Sequence, residues 1–140
     1  MRYSFKLLLF AFSLSVISCE TEDFNSNNSD IRDEFEGGWL ANENSSLLGQ
    51  RTYEVIINKD ALHSSRINIL NFYKIGLSDS VYATVSAVES NTLTIPAQNI
   101  NGNIIEGSGI LGNDEIDLTY YVDDGNDVDT ITSNFTRDLN

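Results

Sequence analysis

The sequence predicts an all-β domain, an antiparallel meander of about eight strands closing into a small barrel, with an open β-sandwich as the alternative. Three observations predict it. Apolar runs of about nine residues are separated by Asn101-Gly102, Gly112-Asn113 and Asp124-Gly125, dipeptides that turn one strand into the next. Side chains alternate: from Asp114 to Val122, Ile116, Leu118, Tyr120 and Val122 share one face, and Glu115, Asp117, Thr119 and Tyr121 the other. No stretch sustains a helical period long enough for a core helix.

In chain order, a short helical turn over Asp30 to Glu36 leads into the first strand, "WLANE" at 39–43. β-Branched and aromatic content marks "TYEVIIN" at 52–58 and "RINILNFY" at 66–73 as the next two. In "SVYATVSAV" at 80–88, Val81, Ala83, Val85 and Ala87 make a dry face opposite Tyr82, Thr84, Ser86 and Val88. "LTIP" at 93–96 is short, because the only proline closes it. "NIIEGSGIL" at 103–111 carries Gly107 and Gly109 on one face, where missing side chains let a sheet curl sharply. "DEIDLTYYV" and "VDTITSNFT" complete the count. Short antiparallel connections allow closure, which removes the exposed edges that invite aggregation.

The first residues have a different logic. Arg2 and Lys6 precede the apolar run Leu7 to Ile17, which is too short to cross roughly 30 Å of hydrocarbon at about 1.5 Å per residue. The run ends in Val16-Ile17-Ser18-Cys19, and this tetrapeptide resembles the lipobox of bacterial lipoproteins. The resemblance implies removal of residues 1–18 and a membrane anchor of two or three acyl chains on Cys19, enough for stable attachment. As the only cysteine, Cys19 has no partner for an internal disulfide. Glu20, Glu22 and Asp23 resemble the acidic export signal of Bacteroides-group lipoproteins, which implies the cell surface of the outer membrane. The periplasmic face is the alternative.

Residues 19–35 then read as an acidic, Asn- and Ser-rich flexible tether, and 36–140 as one folded domain. The chain carries a formal net charge of −13. Loss of Arg2 and Lys6 would leave 6 basic against 21 acidic side chains, which argues against nucleic acid as a partner.

Gly37-Gly38-Trp39 resembles the Gly-x-Trp of the first strand in lipocalins and related calycins, and Arg137 stands where that family places a basic residue at the end of the last strand. The resemblance implies that Gly37, Trp39 and Arg137 close one end of a barrel, with Arg137 over the indole ring. The chain as a whole resembles the small lipocalin-like lipoproteins of the Bacteroides group.

Chemical signatures are sparse. His63 is the only histidine and has no cysteine or second histidine with which to build a transition-metal site. "DDGNDVD" at 123–129 is rich in oxygen but departs from the calcium-loop spacing and lacks the closing glutamate. No pair among the 21 acids stands out for glycoside hydrolysis, and no nucleophile or phosphate-loop motif occurs. The expectation is a protein without enzymatic activity, metal or cofactor.

Aromatic residues carry the functional reading. Tyr53, Tyr73, Tyr82 and Tyr121 are the candidate ligand contacts, and the adjacent pairs Phe72-Tyr73 and Tyr120-Tyr121 should put one ring on each face of a strand. A lipid-anchored module binding a small apolar molecule in the barrel mouth, or a glycan or peptide on an aromatic face, fits them. The alternative is an interaction protein, an inhibitor or accessory subunit of an envelope complex. A ligand-sized cavity of about 300 Å3 or more separates the internal version from the others.

Overall fold

A computed structural model of the chain describes residues 29–86, 88 and 91–138. The signal segment, Cys19 and the tether as far as residue 28 lie outside the described residues. Eight strands follow in order: β1 (Gly37–Ser45), β2 (Gly49–Lys59), β3 (Arg66–Leu70), β4 (Ser80–Ser86), β5 (Thr92–Ile100), β6 (Asn103–Gly112), β7 (Glu115–Asp123) and β8 (Val128–Arg137). Each pairs antiparallel with the next, and β8 returns to β1, so the meander is a closed barrel rather than a sandwich.

Turn chemistry explains the register. Asn101 and Gly102 both have positive φ (52° and 89°), the two-residue hairpin geometry that matches strand twist. The β6–β7 turn is displaced by one residue from its expected place. Asn113 and Asp114, not Gly112, hold the left-handed positions, because the register pairs Gly112 with Glu115. Between β7 and β8, Asp124 accepts the N–H groups of Asn126 and Asp127 and so builds a four-residue loop from its own side chain.

Two strands differ from the sequence reading. "LTIP" is not closed by Pro96: β5 runs on to Ile100 through a bulge between Ile95 and Gln98. Pro96 has no N–H for the ladder, and the Gln98 side chain supplies the missing amide. It accepts from Tyr82 N at 3.0 Å and donates to Tyr82 O at 2.8 Å, acting as a substitute peptide against β4. "RINILNFY" is shorter than expected, since β3 ends at Leu70 and Phe72–Lys74 forms a 3-10 turn. Asn71, Tyr73 and Lys74 there all have positive φ, and Asn71 ties the turn to the Glu54 carbonyl and the Gly76 N–H. The expected one-ring-per-face split therefore fails at Phe72-Tyr73: Phe72 is fully buried and Tyr73 packs against the same core. It holds at Tyr120-Tyr121, where Tyr120 is buried and Tyr121 is 42% exposed.

The folded part also starts before residue 36. Asp30 caps the 3-10 turn Ile31–Glu34, and Phe35 is fully buried, so the last residues assigned to the tether belong to the domain. Inward positions of the strands fill the interior with Val55, Ile57, Ile67, Ile69, Val81, Leu93 and Ile131, among others, at 0% exposure. Gly107 and Gly109 are required by this packing. A Cβ at Gly107 would lie 2.4 Å from Tyr120 Cβ, and one at Gly109 would lie 2.5 Å from Asp117 O. The two glycines let β7 fold tightly over β6.

Candidate functional site

The two ends of the barrel are sealed by different chemistry. At the end where β1 begins and β8 finishes, Trp39 is fully buried and donates its indole N–H to Phe35 O at 2.8 Å. The Arg137 guanidinium carbon sits 4.0 Å from the centre of the indole. Arg137 also donates to Glu36 O at 2.6 Å and to Glu34 O, satisfying carbonyls of the entering chain. Gly37 adopts φ +125°, and a Cβ there would lie 3.2 Å from the Arg137 guanidinium. The closure expected of Gly37, Trp39 and Arg137 is thus present in its geometry. Such a cation–ring contact contributes about 0.5–2 kcal/mol.

At the opposite end the inward positions are polar. Glu43 and Asp129 are 3% and 1% exposed, each on the dry side of its strand. Glu43 pairs with Arg51 at 2.7 Å and accepts the hydroxyls of Tyr53 and Tyr120. The Arg51 guanidinium lies 4.4 Å from the centre of the Tyr73 ring. Tyr73 donates to Asp129 at 2.9 Å, and Asp129 also accepts from Ser45 at 2.5 Å, Ser46 at 2.9 Å and Leu47 N at 3.1 Å.

Burial pushes the Tyr53 and Tyr120 hydroxyls well above the ordinary phenol range, and the negative Glu43 adds to it. Tyr73 is pushed up to about 12 by burial and by its bond to Asp129. Burial works against the charge on Asp129 as well, yet its hydrogen bonds from Ser45, Ser46, Leu47 and Tyr73 win and hold it below the usual carboxylate value. The 3-10 turn lays Phe72 on Tyr120, with ring centres 4.5 Å apart, and so plugs this end. Sequence reasoning missed Glu43 and Asp129. The available signal was a carboxylate falling on the apolar parity of an alternating strand.

The four candidate tyrosines do not converge. Tyr53 and Tyr73 belong to the interior cluster, whereas Tyr82 lies on the outer face of β4 beneath Arg66, whose guanidinium is 4.1 Å from the ring centre. Tyr121 is on the outer face of β7. His63 is a loop residue bonded to Asp60 at 3.1 Å. In the 123–129 loop, Asp123 and Asp124 accept backbone N–H groups of the turn, and Asp129 points inward. Among the described residues, no group of three or more His, Cys, Asp or Glu side chains is placed to hold a metal ion.

Open space lies outside the barrel. A concavity of about 990 Å3 crosses β5, β6, β7, β8, β1 and β2. Each strand lends it three successive residues. The middle ones, Glu43, Arg51, Leu93, Gly109, Leu118 and Ser133, take interior positions, and the flanking ones project outward. The register turns those outward residues into two unbroken ladders. One runs Thr52–Asn42–Asn134–Asp117–Ile110, and the other runs Asn44–Thr132–Thr119–Ser108–Thr94. Asn134 donates to Asp117 at 2.8 Å and Thr52 to Asn42 at 3.0 Å, which fixes amide and hydroxyl orientations along the first ladder. A second, smaller concavity of about 290 Å3 lies over Ile104, Glu106, Tyr121, Asp123 and Val128.

Fold and site together define a closed, eight-stranded antiparallel meander barrel with a filled interior and a polar outer groove. No protein-family model matches the chain, and comparison with curated proteins and with solved structures gives no match either.

Proposed function

We propose that the chain is a lipid-anchored, non-enzymatic binding module that takes a neutral glycan along the outer groove. The observation that carries this reading is the contrast between the interior and the groove. Leu93 and Ile131 are at 0% exposure, leaving no room for an apolar guest beside them, while about 990 Å3 of open space lies against two ladders made mostly of amides and hydroxyls, with Asp117 and Ile110 at one end of the first. Asn and Thr side chains offer paired donors and acceptors of the kind that sugar hydroxyls require. Strands about 4.8 Å apart repeat that offer at regular steps, which suits a polymer better than a single small molecule.

The anchor belongs to the same proposal. Cys19 would hold the module on the outer membrane, at the cell surface if the acids after it act as the export signal. The chain enters the barrel at the Trp39 end, so the groove and the opposite end remain available. Two experiments test the reading. Cys19→Ala should release the protein from the membrane fraction, and continued sedimentation with membranes would refute the anchor. In affinity electrophoresis through neutral polysaccharides the chain should be retarded, and Thr119→Arg should abolish the retardation. Equal mobility of the two with every polysaccharide would refute the groove.

A further inference from the structure

The smaller concavity has chemistry unlike that of the groove. Ile104, Tyr121 and Val128 are 40%, 42% and 55% exposed on neighbouring strands at the polar-cluster end of the barrel. In the register Asp123 stands between Ile104 and Val128, and Glu106 stands directly opposite Tyr121. Three apolar side chains thus form a floor of about 290 Å3 in volume, with a carboxylate set into each row. Glu106 has no ion-pair or hydrogen-bond partner among the described residues.

Along the stretch of chain that carries the patch the charge has one sign. Between Lys74 and Arg137 the sequence has ten acids and no lysine, arginine or histidine. Arg137 itself is held at the far end of β8, on Trp39. Unopposed charge over low-dielectric apolar surface concentrates the field, and it selects a partner of opposite sign.

We propose that this patch docks a segment of a partner protein that presents an apolar side chain flanked by lysine or arginine. The apolar group enters the Ile104–Tyr121–Val128 floor, one cation lies over the Tyr121 ring, and others meet Glu106 and Asp123. At the patch β6 and β7 are paired on both sides, so recognition works through side chains and not by strand addition. The patch borders the glycan groove but shares no lining residue with it, and the proposal does not depend on it.

The test uses the whole chain in detergent and a fluorescent pentapeptide of alternating arginine and leucine, with anisotropy as the readout. The peptide should bind saturably. Tyr121→Ser, which leaves the charge unchanged, should weaken it at least tenfold, as should the pair Glu106→Gln with Asp123→Asn. Ile104→Ser provides a second uncharged variant should Tyr121→Ser melt early. The pair Glu54→Gln with Glu115→Gln removes the same charge elsewhere, Glu115 lying at the far end of β7, and should change affinity less than twofold. Equal binding by wild type and both uncharged variants would overturn the proposal. So would equal loss in the two charge-neutralised pairs, which would mean diffuse attraction, or failure of the peptide to bind at all.

Discussion

The two ends of this barrel solve one problem, keeping water out of the core, with opposite materials. At the Trp39 end an apolar ring does the filling and a single cation covers it, with its charge directed to the backbone carbonyls of Glu34 and Glu36. At the other end two carboxylates, a guanidinium and three tyrosines are drawn into the interior and must satisfy one another. The first arrangement tolerates loss of its cation, because that exposes a ring and leaves a few carbonyls to water. The second does not, because each lost partner leaves a buried charge without compensation.

The largest expected effect is therefore at Glu43. Glu43→Ala should destabilise the domain by about 3–5 kcal/mol in urea unfolding, since the Tyr53 and Tyr120 hydroxyls lose their buried acceptor and Arg51, only 17% exposed, loses its carboxylate. Replacing both residues, Glu43→Leu with Arg51→Met, should recover part of that loss. If the double variant is as unstable as the single one, the pair is more than a self-compensating filler. Trp39→Ala should cost about 3–5 kcal/mol through lost volume, with no comparable rescue by a second change at Arg137.

Smaller effects sharpen the contrast. Arg137→Ala should cost about 0.5–2 kcal/mol, the range for a cation over an indole. Tyr73→Phe, which removes one hydrogen bond to Asp129, should cost about 1 kcal/mol. Combined, these two substitutions at opposite ends should add within about 0.5 kcal/mol, and a larger coupling would show that the ends communicate. Acid acts on both ends, since Asp30, which caps the turn leading to Trp39, is held at about 2 by its hydrogen bond to Arg32. Asp129 titrates below its ordinary value in the folded chain, so its contribution is present at neutral pH and is lost as pH falls below about 4. Asp129→Asn should flatten its share of that acid limb in pH-dependent melting, whereas Arg137→Ala should leave it unchanged.

The ends also differ in how legible they were. Trp39 and Arg137 could be paired from sequence through the resemblance of Gly37-Gly38-Trp39 and Arg137 to the lipocalin pattern, and the closed meander sets them side by side. The alternation and the turn dipeptides likewise carried the fold class and most strand positions. The polar cluster depends on partners far apart in the chain, such as Ser45 with Asp129 and Glu43 with Tyr120, and only the three-dimensional register joins them. Phe72-Tyr73 misled because β propensity cannot anticipate three left-handed residues stabilised by the Asn71 side chain. Pro96 misled because a glutamine two residues later replaces the amide that proline lacks. The outer groove was invisible for a related reason: its residues, chiefly Thr, Asn and Ser with Gln50, Asp117 and Ile110, are ordinary solvent-facing side chains until the register aligns them across six strands.

With both ends sealed and the interior filled, the proposed glycan binding falls to the outside of the barrel. The most direct test is an amide-detected NMR titration of the chain with a pool of neutral oligosaccharides. The expected result is perturbation of the side-chain amides of Asn42 and Asn134 and the backbone amides of Thr119 and Thr132, with the Trp39 indole N–H unmoved. Perturbation that begins at the Trp39 indole and the interior methyl groups of Leu93 and Ile131 would contradict it.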